Sequence, residues 1–236
     1  VALRMDDTEN SVDTHEYQSM IGSLMYLMIG TRPDIAFAVS KLSQFLVNPT
    51  TSHRTAAVRV LRYVKQTRDL KLHFGTAPLE LICYSDADYA MDVDSRRSTT
   101  GYLLQLGGGS IAWGSQRQRS VALSTAEAEY MALSHATKEA IWLRDLVSTI
   151  LPGSELARQP VTVYEDNQSA IKIANNPVIH KHSKHIQIRY HHTREAIEDG
   201  FIKLEYASTD VMIADLLTKA MPIQRTITLR SACGLH

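Results

Sequence analysis

Apolar residues recur at three- and four-residue spacing through the first part of the chain, which is the spacing of one face of an α-helix. Helices are predicted over residues 14–30, 33–47 and 52–66, with Asn48-Pro49 ending the second. The third helix has a basic side that consists of Arg54, Arg59, Arg62, Lys65 and Arg68. That side is either a solvated surface or a contact for a nucleic-acid backbone.

From residue 79 the pattern changes to short strands that alternate with helices. Strands are predicted over 79–88, 101–106, 111–114, 161–166 and 201–206. Four helices are predicted: a long one that begins at Ser124, a short one that ends near residue 175, and two more over 183–199 and 210–219. Residues 75–78 read as a linker. The chain therefore divides into a flexible start (1–12), a helical segment (13–77), an α/β domain with a mixed sheet (78–222) and a C-terminal tail (223–236).

Composition narrows the class of protein. The 236 residues are 44% hydrophobic, and 25 basic and 25 acidic residues balance, so no overall field favours nucleic acid or a membrane. Cys83 and Cys233 fit free thiols in a reducing compartment. No segment approaches the roughly 18 apolar residues of a membrane span. We expect an intracellular protein, and the start at Val1 indicates a fragment or a processed product.

Two of the predicted strands end in acid. In LELICYSDAD and in VTVYED a tyrosine stands two residues before an aspartate, so alternation places Tyr84 with Asp86, and Tyr164 with Asp166, on one face of the sheet. A buried strand holds its last side chains rigidly at the sheet edge. Two such carboxylates indicate a site for a divalent cation.

The helix from Ser124 carries two glutamates with different expected roles. Ser124 and Glu127 match a capping box, which gives Glu127 a structural task. Glu129 shares the apolar stripe of the helix and points to the sheet, where a carboxylate needs a partner. Asp215 alone would be a solvated helix residue, but beside the other acids it becomes a candidate ligand.

The chemistry of these four acids favours hard cations. Carboxylate oxygens without Cys or His ligand spacing suit Mg²⁺ or Mn²⁺ better than zinc. Two such ions about 4 Å apart can activate a water and stabilise the leaving oxygen of a phosphodiester. The acids therefore predict hydrolysis of a phosphodiester.

Several motifs occur in a specific order: YSDADYA, DSRRSTTGYLLQLGGGSIAWGS, VALSTAEAEYMAL, VYEDNQSAI, HSKHIQIRYHHTREAI and ADLLTKAMP. Together they resemble the ribonuclease H domain of copia-type LTR retrotransposon polyproteins over about residues 79–222. Upstream, YQSMIGSLMYLMIGTRPDIAFAVSKLSQF and AAVRVLRYVKQT look like the thumb and connection of the reverse transcriptase in the same polyprotein. The Tyr-x-Asp-Asp site of the polymerase is absent from this sequence.

The resemblance implies a five-stranded mixed sheet flanked by helices, and cleavage of the RNA strand of an RNA–DNA hybrid during reverse transcription. It implies two Mg²⁺ or Mn²⁺ ions held by the catalytic acids Asp86, Glu129, Asp166 and Asp215. The expected partners are the hybrid and the rest of the reverse transcriptase, in the cytoplasm, in retrotransposon particles or in the nucleus. One departure is that the loop at 207–210 lacks the histidine that cellular and retroviral relatives carry before the last helix.

Substrate contacts are expected from arginines that grip phosphates and from short amides that reach 2′-hydroxyls. The candidates are Arg96, Arg97, Gln116, Arg117, Arg119, Asn167, Gln168 and His185. For each arginine, solvated loop charge is the alternative. Two other functions stay open: a catalytically silent, domesticated fragment that binds nucleic acid or a protein, and a DNA-cutting relative such as an integrase. The position of Glu129 between the two acidic strands argues against the integrase.

Overall fold

Three α-helices and two 3₁₀ segments form the first part of the chain in the computed structural model, which describes residues 3–5, 10–175 and 184–236, with side chains in the last range from residue 191. The helices are α1 (Thr14–Gly30), α2 (Ala36–Leu42) and α3 (Thr51–Gln66), and the 3₁₀ segments are Pro33–Ile35 and Ser43–Phe45. The helix predicted over 33–47 is thus three short pieces. At its end the Ser43 hydroxyl donates to the carbonyl of Ser40 at 2.8 Å, a local bond that competes with regular helix.

A mixed sheet forms the centre of the second part. Its strands are β1 (Leu81–Ala87), β2 (Thr99–Leu106), β3 (Gly109–Arg117), β4 (Val161–Glu165) and β5 (Ile202–Tyr206). The order is β3-β2-β1-β4-β5, antiparallel from β1 to β3 and parallel across β1, β4 and β5. This confirms the predicted α/β class with a five-stranded mixed sheet.

Helices flank this sheet: α4 (Thr125–Ile150), α5 (Glu155–Arg158), α6 (Gln168–Asn175), α7 (Lys184–Glu198) and α8 (Ile223–Ala232). The long helix α4 packs on one face of the sheet, where Ala136 and Ala140 meet Cys83 and Val163 in a shared core. Small side chains let the helix approach the strands closely. The first turns of α4 are thereby held beside the end of β1.

One expectation for the C-terminal part needs correction. The helix predicted over 210–219 is a pair of 3₁₀ segments, Thr209–Val211 and Ile213–Leu217. Met212 between them has extended backbone, which turns its fully buried side chain into a cluster with Ala207 and Ala214. The segment 223–236, predicted as a tail, forms α8 and then an antiparallel bridge between Leu235 and Leu72.

Side chains and backbone groups join this C-terminal segment and the first helices to the sheet. Gln105 donates to the carbonyl of Ala232 at 2.7 Å, and the hydroxyl of Ser110 donates to the carbonyl of Cys233 at 2.8 Å. The indole N–H of Trp113 on β3 donates to the carbonyl of Met28 in α1 at 2.9 Å. In the part of the chain that the structure describes, no helix combines the length and the apolar content that a bilayer crossing requires.

The contacts of α8 predict where the α/β domain ends. We expect residues 78–236, expressed without the first helices, to melt at a higher temperature than residues 78–222, because only the longer chain keeps Cys233 in its buried cluster with Leu103 and Leu217. Circular dichroism against temperature measures both. Equal melting temperatures would show that 223–236 is a dispensable tail.

Candidate metal centre at the end of the sheet

Three carboxylates from three different elements meet at one end of the sheet. Asp86 is the penultimate residue of β1, Glu129 is in the second turn of α4, and Asp166 directly follows β4. One oxygen from each lies within 4.8 Å of the others. Asp86 is 2% exposed and Glu129 is 5% exposed, whereas Asp166 is half-buried. The parallel pairing of β1 with β4 brings their ends to the same edge, as the two acidic strand ends predicted.

Each of these carboxylates accepts a hydrogen bond that fixes its orientation. The backbone N–H of Ala87 donates to Oε2 of Glu129 at 2.7 Å. The hydroxyl of Thr209 donates to Oδ2 of Asp166 at 2.8 Å, and the hydroxyl of Thr218 donates to Oδ2 of Asp86. The acids are therefore positioned by the strand end and by the 3₁₀ region before any cation binds.

The fourth predicted acid, Asp215, is joined to this group through a lysine. Its carboxylate is 3% exposed, and its Oδ1 lies 2.6 Å from Nζ of Lys219. The same Nζ is 3.9 Å from Oδ2 of Asp86. The other oxygen of Asp215 lies 3.4 Å from Nη2 of Arg225 on α8. Asp215 thus lies beside the three acids while two cations neutralise it.

A fifth carboxylate, Glu165, was missed by the sequence reading. It is the last residue of β4, it is fully buried, and its Oε1 accepts from the backbone N–H of Asn167 at 3.2 Å. The signal was available in the sequence: Val161, Val163 and Glu165 alternate on the core face of one strand. An acid at an apolar position of such a strand needs a special environment.

The electrostatics of the centre show an excess of negative charge. Burial, followed by the neighbouring acids, raises the pKa of Asp86 to about 7 against the opposing effect of Lys219. Burial, then Glu165 and Asp86, raise the pKa of Glu129 to about 11. Burial also raises the pKa of Glu165 well above its ordinary value. Protons therefore compensate part of this negative charge in the metal-free protein, above all on Glu129 and Glu165.

The donor set fits the hard cations expected from the sequence. The converging ligand atoms of Asp86, Glu129 and Asp166 are all carboxylate oxygens. Mg²⁺ and Mn²⁺ prefer oxygen ligands of this kind. A divalent cation would replace the protons as the compensating charge.

Glu127 takes the structural role predicted for it. Its backbone N–H donates to the hydroxyl of Ser124 at 3.2 Å, and its Oε2 accepts from the backbone N–H of Leu123 at 2.9 Å. The first bond satisfies an N–H group of the first turn of α4 that has no partner within the helix, and the second ties the residue before the cap to Glu127. The two glutamates therefore separate as expected, with Glu127 at the cap and Glu129 among the buried acids.

Three of the predicted substrate contacts line one cleft. Gln116, Arg117 and Arg119 surround a cavity of about 260 Å³ together with Thr100, Gln118, Met131, Ser134, His135 and Lys138. Gln116 and Arg119 are exposed. Arg117 has structural partners, because its Nη1 lies 3.7 Å from Asp92 and 3.2 Å from Oε1 of Gln44. Of the two arginines, Arg119 is the more available to a phosphate.

The other predicted contacts have different surroundings. Asn167 caps α6, since its Oδ1 accepts from the N–H groups of Ser169 and Ala170 at 2.9 and 3.0 Å. Its amide nitrogen is the part that can reach a ligand. Gln168 and Arg96 are exposed and Arg97 is half-buried. The side chain of His185 lies outside the described residues.

No protein-family model matches the chain. It is 43% identical over 220 residues to the retrovirus-related Pol polyprotein from transposon TNT 1-94 of Nicotiana tabacum, which covers 93% of this chain and 16% of that protein. It is 56% identical over 130 residues to the secreted RxLR effector protein 161 of Plasmopara viticola, covering 54% of this chain and 90% of that protein. A foamy viral protease-reverse transcriptase in complex with RNA/DNA hybrid shares its fold, with a TM-score of 0.54 at 16% identity, over 92% of this chain and 27% of that one.

The sheet order and the flanking helices define a ribonuclease H fold. The chain belongs to the retrovirus-related Pol polyproteins of copia-type transposons. It spans only 16% of the length of the tobacco relative and 14% of the length of the Arabidopsis thaliana relative from transposon RE1.

The buried acids predict how stability changes with pH. Without metal, the folded protein holds protons on Asp86 and Glu129 at pH values where the unfolded chain has lost them, so the free energy of unfolding should fall as the pH rises from 5.5 to 8. Urea unfolding in chelator measures this, and Glu129→Gln should have a shallower slope than the wild type. An equal or steeper slope in that variant would contradict the assignment.

Proposed function

We propose that this chain is a metal-dependent endonuclease that hydrolyses the RNA strand of RNA–DNA hybrids during retrotransposon reverse transcription. The observation that carries the proposal is the convergence of Asp86, Glu129 and Asp166 within 4.8 Å in a ribonuclease H fold. Membership of the Pol polyprotein family supports a role in reverse transcription. The nucleic acid bound in the foamy viral structure supports the choice of hybrid.

The acids of this chain would hold two Mg²⁺ or Mn²⁺ ions, which supply an activated water and stabilise the leaving oxygen of the phosphodiester. Asp86 is central, because it belongs to the group with Glu129 and Asp166 and also faces Lys219, which pairs with Asp215. The N–H of Ala87 orients Glu129, and Thr209 orients Asp166. Fixed carboxylates need little rearrangement when the ligands bind.

The hybrid would lie across the acids and the neighbouring cleft. Arg119 and Lys138 line this cleft and can grip phosphates. The amide nitrogen of Asn167 and the side chain of Gln168 follow Asp166 directly and can reach 2′-hydroxyls, which distinguish RNA from DNA. We infer that the rest of the reverse transcriptase delivers the hybrid, inside the cell and in retrotransposon particles.

A second candidate function is a catalytically silent fragment that binds nucleic acid or a protein partner. The relationship to a secreted effector, which matches over 90% of its own length, favours this alternative. The presence of the buried acids argues against it, because burial and mutual repulsion of carboxylates destabilise the fold. A surface that only binds a partner has no need of such a group. A cleavage assay separates the two.

We expect the chain to cut the RNA strand of a labelled hybrid in Mg²⁺ or Mn²⁺ and to stop in chelator. Glu129→Gln should abolish cutting, because it removes a carboxylate from the group of three. Glu127→Ala is the matched control two residues away, and it should lose about 1 kcal/mol of stability as a lost cap while keeping its turnover. Gel analysis of the RNA strand measures both.

The proposal fails if the wild type leaves the hybrid intact in both metals, or if it cuts in chelator. If Glu127→Ala is inactive and Glu129→Gln cuts normally, the catalytic glutamate is Glu127. Cutting of duplex DNA alone would indicate a different nuclease.

A further inference from the structure

The ammonium group of Lys219 lies between two buried carboxylates. Its Nζ is 2.6 Å from Oδ1 of Asp215 and 3.9 Å from Oδ2 of Asp86. Both acids are almost fully buried, whereas the lysine side chain is 38% exposed. A single positive charge thus faces two carboxylates from the solvent side of the centre.

The surroundings hold these two acids in the direction of the lysine. Arg225 lies 3.4 Å from Oδ2 of Asp215 and also donates to the carbonyls of Asp210 and Thr209. It fixes one oxygen of Asp215 and leaves Oδ1 for Lys219. The hydroxyl of Thr218 donates to Oδ2 of Asp86, the same oxygen that faces Lys219.

The group of three acids and the lysine occupy different parts of the centre. Glu129, Asp166 and Asp86 each place one oxygen within 4.8 Å of the other two. Asp86 and Asp215 enclose the ammonium instead. If two divalent cations bind, the first part suits one of them, and the other would have to use the oxygens that Lys219 now neutralises.

The plain alternative is an ordinary helical ion pair, since Lys219 follows Asp215 by four residues. Such pairs are usually between exposed groups and have little effect on anything else. Here the acids are buried, and the lysine faces a second carboxylate that is far away in sequence. These two features go beyond the ordinary pair.

We propose that the ammonium of Lys219 serves as the counter-ion of Asp86 and Asp215 while no divalent cation lies between them. When a divalent cation binds there, it displaces the ammonium. The inference rests on the proposed function for the identity of the competing cation. A lysine has a flexible four-carbon stem and a strongly hydrated head, so the exposed side chain can withdraw into solvent. Lys219 is thus a positioning residue that sets how tightly the centre binds metal.

The test compares Lys219→Met with the wild type in the full chain, without nucleic acid. In chelator the variant should melt about 3 °C lower, because two acids lose their counter-charge. In a Mn²⁺ titration followed by melting temperature, the Mn²⁺ concentration needed for a given rise above the value in chelator should fall about tenfold, because no ammonium has to be displaced. Lys219→Arg keeps the charge and should follow the wild type in chelator.

The matched control is Lys203→Met, which removes an exposed lysine paired with Glu205 at 2.8 Å on β5. It should leave the Mn²⁺ titration unchanged. If Lys219→Met lowers the melting temperature but its titration overlaps that of the wild type, Lys219 is an ordinary ion pair and the proposal is wrong. Lack of hybrid cleavage by the wild type would reject the proposed function, while the titrations would still decide the role of Lys219.

Discussion

The mutual repulsion of buried carboxylates is the constraint around which the end of this sheet is arranged. Asp86, Glu129 and Glu165 have almost no contact with solvent, and burial together with neighbouring acids raises the pKa of each. Such a cluster persists only if protons or cations compensate it. Lys219 and Arg225 provide part of that charge in the metal-free chain. The negative charge that they leave uncompensated is the charge that a divalent cation would neutralise.

Favourable packing elsewhere in the fold offsets this repulsion. The parallel pairing of β1 with β4 and the close packing of α4 on the sheet hold Asp86, Glu129 and Asp166 together. The fourth acid depends on more distant parts of the chain. Asp215 lies in a 3₁₀ segment that packs in one cluster with Ala36 from the helical part and Cys233 beyond α8. The helical part and the C-terminal segment therefore help to position the fourth acid.

The sequence could predict the features that depend on local periodicity. Alternation in β1 and the helical phase of α4 were enough to place Asp86 at the sheet edge and to separate Glu129 from the capping Glu127. Features that depend on tertiary packing could not be read in this way. The extended backbone at Met212 follows from the cluster that buries it, and Lys219 gains meaning only beside Asp86. Glu165 is a different case, because the alternation of β4 does place it on the core face, directly before the aspartate that follows the strand.

The most direct test of the account is to locate Mn²⁺ by anomalous X-ray scattering in crystals of the full chain soaked with the ion. The account predicts one peak against Asp86, Glu129 and Asp166 and a second between Asp86 and Asp215, with the side chain of Lys219 turned away into solvent. Crystals in which Mn²⁺ binds only elsewhere, with the ammonium of Lys219 still between the two aspartates, would contradict it.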